Sequence, residues 1–172
     1  MSRKKAVARK YVSDFVYGAV DGTVTTFAIV SSAVGAEFSA VIVIILGFAN
    51  LFADGFSMAA SNYLSKTEAE SSSNSKYYAL KSGLATFVSF FALGLMPLLP
   101  FLTLLIWPSF QNPFIYSVVL TGITFFVIGW IKGTIENSSR IKNAFKTLSI
   151  GGIAAGIAYL LGYLLHNSGI SL

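Results

Sequence analysis

Asp14, Asp21, Asn50, Asp54 and Met58 stand in or beside long apolar stretches, where ionisable and polar side chains are rare. An Asp at the centre of a membrane helix costs ~2.5–3.5 kcal/mol or more, so an acid kept there is read as functional by default. Carboxylates and an amide oxygen are hard donors, and a thioether is soft. Oxygen alone suits Mg²⁺, Ca²⁺ or Mn²⁺, and adding the Met58 sulfur tilts the set toward Fe²⁺ or Mn²⁺. With Cys absent and the single His far away in the sequence, a tight zinc or copper site is not expected. Two neighbouring carboxylates away from water can hold a proton when empty and yield it to a cation, which makes Asp21 and Asp54 the candidates for proton coupling as well as for metal.

Spacing sharpens this set. Asp14, Gly18, Asp21, Thr25 and Ser32 share one helical face, and Gly47, Asn50, Asp54, Ser57 and Ser61 share another, with Met58 one turn beyond Asp54. Small residues let helices approach closely, and the polar ones need partners away from lipid. Each residue also has a plainer reading. Asp14 could balance Arg9 and Lys10 at an interface, and Asp54-Gly55 could mark a helix break that Asp54 caps. Met58 could simply pack, and Asn50 could be an interhelical hydrogen-bond partner.

The elements that must position these residues are membrane helices. Of 172 residues, 55% are hydrophobic and 11% charged, and the mean hydropathy is +0.72. That balance excludes a soluble globular domain and a disordered segment, and zero cysteines exclude a disulfide scaffold. Five stretches reach the roughly 20 residues a span needs: Phe15–Ala36, Ser39–Ala60, Gly83–Ile106, Phe114–Ile131 and Leu148–Leu165. None alternates as a barrel strand does. Asp21 interrupts the first where a signal peptide would be unbroken. The expected fold is therefore all-α, a single transmembrane domain over 1–172 with five transmembrane helices.

All twelve Lys and Arg fall in the N-terminal segment, the link between spans two and three, or the link between spans four and five. By the positive-inside rule the N-terminus is cytoplasmic and the C-terminus outside. The net charge of +5 is thus topological, and no nucleic-acid partner is expected. Asp21 lies six residues from Phe15 and Asp54 six from Ala60. At ~1.5 Å per residue both are about 9 Å inside the cytoplasmic boundary. Pro97, Pro100, Pro108 and Pro113 bracket or kink the outer end of span three. His166 is expected to be solvated, as are Glu68 and Glu70. Gly129/Gly133 and Gly152/Gly156 are GxxxG pairs that imply close packing, within or between subunits.

The run Asp21-Gly22-Thr23-Val24-Thr25-Thr26-Phe27 resembles the vacuolar iron transporter family, as does the span-two run from Asn50 through Asp54, Gly55, Ser57 and Met58 to Ala60. Further matches are Tyr63-Leu64-Ser65, Glu68-Ala69-Glu70, Met96-Pro97-Leu98-Leu99-Pro100 and Gly129-Trp130-Ile131-Lys132-Gly133. The likeness extends from Tyr11 to Leu165. It implies a homodimer that exports Fe²⁺, and often Mn²⁺, from the cytosol in exchange for protons, along a path lined by spans one and two. On that likeness Asp21 is the acid of the DG motif, Asp14 the acid before it and Met58 the methionine of the SM motif. Iron-transporting plant members carry Glu where this chain has Asn50, with Asp54 one turn away as a candidate to compensate. They also insert a cytoplasmic Glu- and Met-rich domain between spans two and three, where this chain has only about Ser61–Lys76.

The expected function is therefore export of Fe²⁺ or Mn²⁺ by proton antiport, the metal being substrate and no cofactor being expected. The alternative is a non-transporting membrane assembly protein whose aspartates hold subunits together. No nucleophile–base pair, Walker A loop or HExxH helix suggests an enzyme. A short basic N-terminus favours a prokaryotic plasma membrane, with a vacuolar membrane as the alternative.

Overall fold

The computed structural model describes residues 3–69 and 75–168. Glu70 of the expected solvated link lies outside them. The described residues form helices and no strands: α1 Arg3–Gly35, α2 Ala40–Ala69, α3 Ser75–Gly94, a 3₁₀ turn Met96–Leu98, α4 Leu99–Ile106, α5 Pro113–Ile135 and α6 Arg140–Asn167. Among the described residues, four helical stretches are long and apolar enough to cross a membrane: Ala40–Glu68, Lys76–Ile106, Pro113–Ile135 and Arg140–Asn167.

The helix α1 is not among the four. Asp14, Asp21, Thr23, Thr25, Thr26, Ser31 and Ser32 dilute it. Its position explains how it carries them, because α3, α6, α2 and α5 all pack against it. Thr23, Thr26 and Ser31 are buried within that wrapping. Thr23 returns its hydroxyl to the Ala19 carbonyl at 2.7 Å, the local bond that lets a threonine sit inside a helix without a distant partner.

Glycines set the closest approaches. A Cβ on Gly18 would strike Ser89 and the Thr86 backbone, and one on Gly22 would strike the Phe90 backbone, so α1 lies directly on α3. Gly129 and Gly133 bear in the same way on Ala144 and Arg140. That GxxxG pair therefore joins α5 to α6 within one chain. Gly152 and Gly156 meet nothing within 4 Å.

Helix ends follow from local chemistry. Glu37 takes a left-handed φ of 58° after α1, where Phe38 N–H donates to the Ala33 carbonyl and Glu37 N–H to Val34, a Schellman ending. Asn137 repeats the left-handed turn after α5, and Ser139 then caps α6 through its hydroxyl. His166 is half exposed and stands 3.8 Å from Glu37 across the α1–α2 turn.

The expected third span is one stretch in two pieces. It breaks at Gly94–Leu98, and Ser117 of α5 donates to the Pro97 carbonyl at 2.6 Å. A broken helix at membrane depth needs such a partner for its freed backbone groups.

Candidate metal site between the first two helices

α1 and α2 run antiparallel, and their polar residues meet along the seam. Asp21 is partly buried on α1. Asp54 on α2 is exposed and close enough for the two like charges to act on each other. The neighbouring glycines orient both. Gly22 is pressed against the Phe90 backbone of α3, and Gly55 against the Phe90 and Phe87 rings. Each Asp, one residue along and about 100° around its helix, is turned away from the contact its glycine makes. α2 continues unbroken through Asp54-Gly55, so Asp54 caps nothing there.

Asn50 sits one turn outward. Its amide nitrogen donates to Thr25 Oγ1 at 3.3 Å and to Thr26 Oγ1 at 3.2 Å. It is therefore an interhelical hydrogen-bond partner, with its carbonyl oxygen left as the atom that could face a cation. Thr25 is itself anchored, its hydroxyl donating to the Asp21 carbonyl at 2.9 Å. Met58, one turn inward of Asp54, packs against the cluster of Val30, Val43, Leu51, Phe90 and Leu98. Beyond Asn50 the seam opens into a groove of about 410 Å³ between Ile29, Ser32 and Ala33 of α1 and Leu46, Ala49 and Ala53 of α2.

Asp14 lies two turns from Asp21 at the basic end of the bundle. Its Oδ2 accepts from Lys66 of α2 and from Ser82 of α3, and Lys66 also donates to the Ser82 hydroxyl. The structure thus brings Asp21 and Asp54 within reach of each other's charge and bonds Asn50 to α1 beside them. It packs Met58 on the apolar core and ties Asp14 into a separate ionic cluster below. Sequence spacing missed Lys66 and Ser82. They stand 52 and 68 positions from Asp14, and no helical period links residues so far apart. Among the described residues no group of three or more His, Cys, Asp or Glu could hold a metal ion, so one chain offers a carboxylate pair rather than a closed cage.

The sequence matches the family model described as VIT family over residues 12–77 and 66–163, two stretches that meet at the link between α2 and α3. It is similar to the vacuolar iron transporter of Plasmodium falciparum, 25% identical over 222 residues, covering 89% of this chain and 81% of that protein. The vacuolar iron transporter of Plasmodium berghei is 26% identical over 231 residues, covering 94% and 85%. Both alignments are longer than this chain, so those proteins contain segments with no counterpart here. Vacuolar iron transporter 1 of Arabidopsis thaliana is 30% identical over 89 residues, covering 52% of this chain and 34% of that protein.

Proposed function

The chain belongs to the VIT family, and from that premise we propose that it is a membrane carrier exporting Fe²⁺ or Mn²⁺ from the cytoplasm in exchange for protons. The observation that supports this reading is the carboxylate pair Asp21 and Asp54, near enough for their like charges to act on each other. Asn50 is bonded across to Thr25 and Thr26 of α1, and Met58 lies one turn beyond Asp54 on α2. Two carboxylates, an amide oxygen and a thioether match an intermediate divalent cation better than a strictly hard or soft one. In the inward-open state the pair exchanges its protons for metal, and in the outward-open state it takes protons and releases metal.

In this reading α1 is the fifth span, screened from lipid by its neighbours, and the basic end of the bundle faces the cytoplasm, in line with the placement of Lys and Arg. The carrier is a homodimer. One chain presents two carboxylates, and a second copy across the open α1–α2 seam supplies the remaining ligands. Two membranes fit export from the cytoplasm: a prokaryotic plasma membrane, expected from the sequence, and a vacuolar membrane, in keeping with the relatives' names.

The test is metal-driven proton movement in proteoliposomes carrying an internal pH dye, with Fe²⁺, Mn²⁺, Zn²⁺ and Mg²⁺ added separately. A signal with Fe²⁺ or Mn²⁺ is expected. Silence for all four from intact dimers would overturn the reading and leave the aspartates an assembly role.

A further inference from the structure

Lys66 has a role that its place in the positive-inside pattern does not require. Its ammonium group reaches from α2 to the Asp14 carboxylate of α1 and to the Ser82 hydroxyl of α3, while Ser82 donates to the same carboxylate oxygen. One three-way contact therefore ties together three helices at the basic end of the bundle. Asn62, one turn before Lys66 on α2, reinforces it by donating to Thr86 Oγ1 of α3 at 2.7 Å. Asp14 lies seven residues before Asp21 on the same helical face, about 10 Å along α1. The cluster thus stands directly beneath the carboxylate pair, on the side from which metal enters in the proposed function.

We propose that Lys66 is a tethered competitor for the transported cation, holding Asp14 and closing the α1–α2–α3 end until an arriving divalent ion displaces it. This inference rests on the reading of the protein as a metal carrier. The side chain of Asp14 is 16% exposed and that of Lys66 is 34% exposed. The carboxylate is therefore fixed in the bundle, while the ammonium, on a flexible four-carbon stem, has a way out to water. Once it leaves, Asp14 and Ser82 present a carboxylate and a hydroxyl, both oxygen donors suited to Mn²⁺ or Fe²⁺. A carboxylate left there with neither lysine nor metal is costly, so the two cations exchange rather than leave the site empty.

The experiment is Mn²⁺ binding to the purified full-length protein in detergent, read as free Mn²⁺ by electron paramagnetic resonance, alongside flux in proteoliposomes. Lys66→Gln should bind Mn²⁺ about tenfold more tightly and lower the KM for flux. Lys66→Arg, which restores the charge, should keep the wild-type affinity. Adding Asp14→Asn to Lys66→Gln should erase the gain. A merely structural tie predicts a lower melting temperature with unchanged affinity and KM, and that result overturns the proposal. Lys66→Met, of similar length, serves if Lys66→Gln does not fold. If neither folds, the contact is a fold element and the proposal falls. Tighter binding without any flux in wild type would reject the carrier reading and retain the exchange of Lys66 for metal, because binding is measured apart from transport.

Discussion

Asn50 of α2 donates to Thr26 Oγ1 of α1 at 3.2 Å, and the same amide nitrogen reaches Thr25 Oγ1 at 3.3 Å. The bond commits the nitrogen of the side chain and orients its oxygen, one turn from Asp54. A residue with the plainer role of joining two helices is thereby placed where it can also serve the metal pair.

Replacing Asn50 by Asp adds a third carboxylate at that position and removes the NH₂ donor. Mn²⁺ affinity should rise several-fold, and the melting temperature should fall by about 2–4 °C, corresponding to roughly 1 kcal/mol. Isothermal titration and a thermal melt on the same preparation check both. A loss of affinity would show that the amide oxygen does not face the ion.

Asp21→Asn and Asp54→Asn are near-isosteric and should leave the bundle folded. Metal-driven flux should drop by at least about 100-fold in Asp21→Asn, as expected when an ionisable group central to coupling is neutralised. Asp54→Asn should fall less steeply because its side chain is exposed at the seam rather than partly buried. Initial rates in proteoliposomes, with the oligomer checked by size-exclusion chromatography, decide this.

Gly22→Ala places a Cβ against the Phe90 backbone, which has no flexible end to move aside. A loss of about 2–3 kcal/mol is expected from such overpacking. Gly152→Ala meets open space and should stay within about 0.5 kcal/mol of wild type. Thermal melts of the two variants side by side test whether α1 truly bears on α3 through that glycine.

Ser117→Ala removes the 2.6 Å bond to the Pro97 carbonyl at the break between α3 and α4. A buried acceptor left without its donor costs about 1–3 kcal/mol. The melting temperature should fall accordingly, and a thermal melt against wild type checks it.

Much of this was legible in the chain. The five apolar runs fall on α1, α2, the α3–α4 pair, α5 and α6. The matching counts from the span ends bring Asp21 and Asp54 near enough for their charges to interact, because position along a helix is a local count. The helix ends were less legible. α1 begins at Arg3 and α2 runs on to Ala69, since a helix does not stop where its hydrophobicity does. The possible break at Asp54-Gly55 does not occur, because Gly55 packs on two phenylalanine rings of α3 instead of ending a helix. The Asp14–Lys66–Ser82 cluster was invisible because it depends on three helices meeting. The same holds for the two GxxxG pairs, of which the α5 pair faces α6 and the α6 pair faces outward.

The enclosure of α1 bears on how the protein is made. α1 is made before α6, yet it falls short of the apolar length of the four candidate spans and is packed on one side by α6. Gly162 of α6 abuts Ser32, and Gly35 abuts Tyr159. A nascent chain lacking α6 would leave the α1 backbone around Ser32–Ala36 without its close-packed partner. Stable insertion of α1 is therefore expected to depend on α6, and truncation before α6 should yield a protein cleared by membrane quality control instead of a smaller working carrier.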